Sequence, residues 1–167
     1  SDSTQTVREV GALAVSYLFG ERPVSVAAVL RNDIIVTPFS IQLTETRTKT
    51  KNAAPTRQFV TLNDRRGFNL NRLFSRLLTA PITMDGARVF PELPLDNPSG
   101  VLTNYVERRM HAIGAVASAG EHYTSYSMRR GCATAMYALN VDTMKALFWG
   151  NWQDPSSYKM YIDTKAN

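Results

Sequence analysis

The sequence predicts an α+β fold, mainly helical, with one small three-stranded antiparallel sheet. Three observations predict it. Apolar residues recur at helical spacing over much of the chain, first at Val7, Val10, Leu13, Ala14, Tyr17 and Leu18, later at Leu102, Val106, Met110 and Ile113. Between residues 34 and 62 the pattern changes to β-branched, partly alternating runs: IIVTPF, SIQLTET and RQFVTL. A proline and the polar stretch KTKNAAPT separate those runs, as turns should.

The first helix spans Thr4 to Phe19, with Gly20 placed to cap its end because glycine accepts the left-handed conformation of a C-cap. In GERPVSVAAVLRNDI, Pro23 suits the first turn of a second helix, where its missing N–H costs nothing, and that helix ends near Arg31 to Asn32. Arg22 therefore stands at a helix entrance. The three β-runs follow. Their second turn carries Arg47, Lys49 and Lys51 on one side and Arg57 on the other, a basic tip. NLNRLFSRLL restores the helical pattern, and the Pro- and Gly-rich TAPITMDGARVFPELPLDNPSG reads as loop. Ser99 caps a helix through VLTNYVERRMHAIGAVA, with Arg108 and Arg109 away from its apolar face. The last third is helical in short pieces: YSMRRGCATAMYAL, a break at Asn140, TMKALFW capped by Asp142, and a turn or two from Pro155 to Tyr161.

At 167 residues one core is expected, without staples. Apolar residues make up 44% and charged residues 20%, which argues against disorder and against a disulfide scaffold. The single cysteine, Cys132, lies in the apolar stretch CATAMYAL and reads as a small buried thiol that fits a reducing compartment. There is no run of about 18 apolar residues, and SDSTQTVREV is neither a signal peptide nor a basic transit sequence, so a soluble protein is expected. A formal net charge of +5 favours a polyanionic partner. The chain begins inside what already reads as a helix, so a piece of a longer protein is expected.

Several blocks, in order, resemble the catalytic domain of tyrosine recombinases, the family of phage integrases and Cre-like site-specific recombinases. RPVSVAAVLRNDI resembles the block in which an arginine opens a helix that ends at an Asp-Ile entering the sheet; Arg22 matches that arginine. RTKT, at Arg47 to Thr50, resembles the hairpin that carries the family's lysine, which places Lys49 in the catalytic position, or Lys51 if the turn is shifted. YSMRRGCATAMYALNVDTMKALFWGNWQDPSSYKMYI resembles the terminal block without a gap: Arg129 matches the second arginine, Trp152 the His/Trp position and Tyr161 the nucleophile. Two positions depart from the pattern. Tyr126 stands where the family has the histidine of an H-x-x-R pair, with His122 a stand-in only if the loop rearranges, and Ser25 stands where it often has an acidic residue.

The resemblance implies cleavage and rejoining of DNA strands through a covalent 3′-phosphotyrosyl link, with neither metal nor ATP. The residue types suit that chemistry. Transesterification builds negative charge on the non-bridging phosphate oxygens, and the planar guanidinium groups of Arg22 and Arg129 match that geometry. A tyrosine hydroxyl of pKa near 10 is a weak nucleophile until cations assist it, and the 5′-oxygen leaving group needs a proton that Lys49 can supply. The Trp152 indole N–H can donate to phosphate, as can the Tyr126 phenol. Of the two tyrosines in WQDPSSYKMY, the block's register selects Tyr161 and leaves Tyr158 to packing. Arg47, Lys51, Arg57, Arg108, Arg109 and Arg130 are candidates for backbone phosphate contacts.

The resemblance further implies double-stranded DNA as partner, a tetramer in synapsis and a monomer when free, and a location with the DNA: nucleus in a eukaryote, cytoplasm or nucleoid in a bacterium or phage. It makes residues 1–167 a single catalytic domain lacking the N-terminal core-binding domain with which the family closes a clamp around DNA. A recombinase-like domain that only binds DNA or a partner, a telomere resolvase and a type IB topoisomerase remain alternatives at this point.

Overall fold

In a computed structural model of the chain, residues 3–44, 56–61, 69–80 and 88–162 are described. Among these residues the order is α1 (Thr4–Leu18), α2 (Pro23–Ala28), β1 (Ile34–Thr37), β2 (Ser40–Thr44), β3 (Thr56–Val60), α3 (Leu70–Thr79), α4 (Ser99–Ala112), α5 (Ser127–Ala138), α6 (Thr143–Gly150) and α7 (Pro155–Lys159). The fold is the expected helix-dominated α+β arrangement.

Helix α1 starts where the Ser3 hydroxyl accepts from the Thr6 N–H at 3.2 Å. It is the hub of the molecule, with α2, α3, α4 and α5 packed around it. Burial is therefore not confined to one face: Val7, Ala12, Leu13, Val15 and Leu18 are covered, and so are Arg8, Glu9 and Ser16, while Tyr17 is 42% exposed. Each of these three polar side chains of α1 has a partner. Ser16 Oγ donates to the Ala12 carbonyl at 2.8 Å, Arg8 pairs with Glu92, and Glu9 takes both Arg108 and Arg109 from α4.

Helix α2 stops at Ala28, earlier than its sequence suggested. The Val29 carbonyl accepts from Val89 N at 3.0 Å, and Leu30 forms an antiparallel bridge with Arg88, so backbone groups that would have extended the helix are used by a distant loop. A single 3₁₀ turn, Arg31–Asp33, then leads into β1, with Asp33 Oδ2 accepting from Leu30 N at 2.9 Å.

The sheet has the order β1-β2-β3, both pairs antiparallel. Ile34, Ile41 and Leu43 face the main core. Helix α3 is capped by Asn69, which accepts from Arg72 N at 2.9 Å, and Asn71 ties it to β1 through the Thr37 carbonyl. Ser99 is the first residue of α4 rather than its cap, and Ile113, beyond the last turn, is 74% exposed.

Two apolar clusters result. The larger holds α1, α2, the sheet, α3 and α4; the smaller is built from Ala133 of α5, Ala146 and Leu147 of α6, Trp152 and Tyr158. Trp149, on α6, bridges toward the larger: its ring stacks on Phe19 at 5.5 Å and its indole N–H donates to the Leu18 carbonyl at 2.7 Å. Asn151, in the left-handed conformation (φ 54°), ends α6 and turns the chain so that Trp152 folds back over Gly150. A Cβ at Gly150 would stand 1.7 Å from Cζ3 of Trp152. Although alanine is the better helix former, Gly150→Ala is therefore expected to lower unfolding free energy by about 1–3 kcal/mol, read as an earlier urea midpoint. An unchanged or later midpoint would mean that Trp152 does not pack there.

Candidate active site

The site forms at the seam between the two clusters. Gly20 (φ 63°) turns the chain out of α1, and the following proline keeps Arg22 extended (φ −75°, ψ 154°) as the N-cap of α2. A Cβ on Gly20 would lie 3.3 Å from both Cys132 Sγ and Trp152 Cη2, so this turn rests directly on α5 and the indole. Arg22 is half-buried there.

Arg129, in the first turn of α5, is 1% exposed. Its Nη1 donates to the carbonyls of Gly20 and, at 2.8 Å, Gly150. Its guanidinium carbon lies 4.1 Å from the Trp152 ring centroid and 5.3 Å from that of Tyr161. Nε and Nη2 are buried and meet no acceptor among the described residues. Burial, and then the neighbouring Arg22 charge, push the Arg129 pKa down to about 10, while Tyr161 and Glu21 act in the opposite direction. The group is still a cation at neutral pH. Two guanidinium groups near enough to repel one another, one with unused donors, form a cradle for an anion.

Aromatic rings wall this cradle. Trp152 is 4% exposed, and its indole N–H too is without an acceptor among the described residues. The two tyrosines of α7 and its end separate clearly. Tyr158 is buried edge-on against Trp152 at 5.3 Å and its hydroxyl donates to the Ala133 carbonyl at 3.4 Å, a packing role. Tyr161 is half-buried, 6.0 Å from Trp152 and 6.4 Å from Tyr126, whose ring is inclined to it by only 25°. Tyr126, the N-cap residue of α5, is thus a stacking neighbour of Tyr161. His122 is exposed and lines a groove of about 670 Å³ with Tyr17 and Arg130.

Arg22, Tyr126, Arg129, Trp152 and Tyr161 are therefore brought together. Lys49, Arg47 and Lys51 lie outside the described residues. Arg57 departs from its expected place at a basic tip. It is 2% exposed, donates to the carbonyls of Phe19 (2.7 Å) and Trp149, and pairs with Glu21, so it is not available to a DNA backbone. The reason is register: Arg57 pairs across the sheet with Leu43, and cross-strand partners share a face, here the buried one. Arg108 and Arg109 both reach the buried Glu9, Arg109 Nη2 at 3.0 Å from Oε2, with Arg108 still half exposed. Arg130 is exposed. Sequence reasoning passed over Glu21, whose only signal was its place beside Arg22.

A helix-wrapped α1, a three-stranded antiparallel sheet and a short helical C-terminal unit make up the fold of a tyrosine-recombinase catalytic domain. The chain is similar to XerH site-specific recombinase in its pre-cleavage complex with difH substrate, at a TM-score of 0.67 and 13% identity over 98% of this chain and 45% of that one. It is similar to XerH in a post-cleavage complex with palindromic difH as well, at a TM-score of 0.67 and 13% identity over 95% and 43%. The likeness is one of fold, and the chain spans less than half the length of those proteins. No family model matches the chain, and no curated protein matches it by sequence.

Cys132 lies beneath this site, 4% exposed, and burial pushes its thiol up from 9.0 to about 11. Only the thiolate alkylates, so at pH 8 its reactive fraction is about a hundredfold below that of a free thiol. Iodoacetamide at pH 8 is expected to leave the folded protein unlabelled and to label it in urea, as read by intact mass; rapid native labelling would show that the seam opens.

Proposed function

We propose that this chain is the catalytic domain of a site-specific DNA recombinase of the integrase type, cleaving and rejoining strands through a 3′-phosphotyrosyl link at Tyr161. The observation that carries the reading is the convergence of unused buried donors, Arg129 Nε and Nη2 and Trp152 Nε1, with the Arg22 cation and a half-exposed tyrosine. Buried donors without acceptors are costly, and an arriving phosphate would satisfy them. The fold's likeness to a recombinase seen with DNA before and after cleavage supports the same substrate class.

In this reading the Tyr161 hydroxyl oxygen bonds to phosphorus as the bond from phosphorus to the 5′-oxygen breaks. The phenol gives up its proton to solvent, the 5′-oxygen takes one from Lys49, and the bond exchange needs neither ATP nor a metal. Arg22, Arg129 and Trp152 hold the charge that grows on the non-bridging oxygens. Tyr126 stacks against the nucleophile and orients it. Rejoining is the reverse attack by a 5′-hydroxyl, from the same strand or from a partner strand in a synapse of further copies. Arg130 is the exposed cation beside the site that is free to meet a DNA backbone. The working protein resides with the DNA on which it acts, including that of a mobile element.

The test is a nicked suicide duplex. A denaturation-resistant protein–DNA adduct is expected on gels, absent in Tyr161→Phe and retained in Tyr158→Phe. Arg22→Ala should slow its formation by about 10²–10³, as losing one donor to a developing oxyanion does. An adduct lost with Tyr158→Phe but not with Tyr161→Phe would move the nucleophile to the other tyrosine.

A further inference from the structure

The turn from Phe19 to Arg22 is gripped by two buried guanidinium groups. Arg129 takes the carbonyls of Gly20 and Gly150; Arg57, reaching in from β3, takes those of Phe19 and Trp149, one residue back on each segment. Their counter-charges differ. Arg57 has the carboxylate of Glu21, both side chains being less than 5% exposed, at 1% and 4%. Arg129 has no carboxylate bonded to it among the described residues, and feels the repulsion of Arg22 and the attraction of Glu21. Glu21 is itself fixed by its backbone N–H, which donates to the Ser16 carbonyl at 3.1 Å. Among the described residues, three cations and one anion thus share a region of low polarity, where like charges repel far more strongly than in water.

We propose that Glu21 is a positioning residue of this site: its carboxylate, anchored by Arg57, is the internal counter-charge that lets Arg22 and Arg129 stand together before a phosphate arrives. Its part in strand cleavage rests on the function proposed above; the charge arrangement does not. With the carboxylate neutralised, the arginines keep their places only when an anion takes over, so folding and anion binding become linked.

Glu21→Gln is isosteric and leaves Arg57 an acceptor. Its melting temperature in phosphate-free buffer is expected below that of the wild type and to climb more steeply as inorganic phosphate replaces chloride at constant ionic strength. Adding Arg22→Gln should remove that steepness. Arg57→Lys keeps both charges and should respond to phosphate as the wild type does. Parallel phosphate responses of Glu21→Gln and wild type overturn the proposal, as does a steep response in Arg57→Lys, which would trace the effect to packing. On suicide DNA, Glu21→Gln should form adduct about 10–100-fold more slowly at unchanged DNA affinity, the loss seen when a supporting partner of an active ligand is removed. A wild-type rate overturns the positioning role. If the wild type forms no adduct, the strand-cleavage reading falls, and the phosphate series still decides the counter-charge.

Discussion

One guanidinium nitrogen, Nη1 of Arg129, holds the carbonyls of Gly20 and Gly150 and so joins the two halves of this protein. The turn after α1 borders the larger cluster and the turn after α6 the smaller, and no apolar contact could satisfy the bare carbonyls where they meet. Everything at the site follows from that clamp. It leaves Nε and Nη2 without an acceptor among the described residues, lays the cation against Trp152, and brings the end of α7 within reach.

The same use of arginine recurs through the fold. Arg31 donates to the carbonyls of Leu78 and Ala80, Arg88 to those of Ala27, Leu93 and Pro91, and Arg57 to those of Phe19 and Trp149. A planar group with five donors can close several open chain ends at once, which irregular segments between short helices require. Part of the positive charge is therefore tied up inside the fold, Arg8, Arg57 and Arg129 being buried, and net charge alone does not say where an anionic partner would lie.

The elements were legible because their signals are local. Period placed α1, α3 and the strands, and period with a capping residue placed α6, where Asp142 accepts the backbone bond expected of it. What was not legible depends on distant partners. The end of α2 is set by Val89 and Arg88. The hub position of α1, which buries Glu9 against Arg108 and Arg109, has no signature in α1 itself. Arg57 was readable in part, since it alternates with Phe59 on one face of β3, but a charge at an inward position reads as an exception until Glu21 is seen opposite. Arg22, Arg129, Trp152 and Tyr161 were picked out by the resemblance of their blocks, in order, to the recombinase family; that they meet is a property of the folded molecule.

The seam holds both tryptophans of the chain, Trp149 stacked on Phe19 and Trp152 under the Arg129 cation. Indole emission shifts and quenches with nearby charge and hydration, and no third indole dilutes the signal. The protein's intrinsic fluorescence is thus the light of its own seam, a built-in optical report on whether the two halves are closed around the cradle.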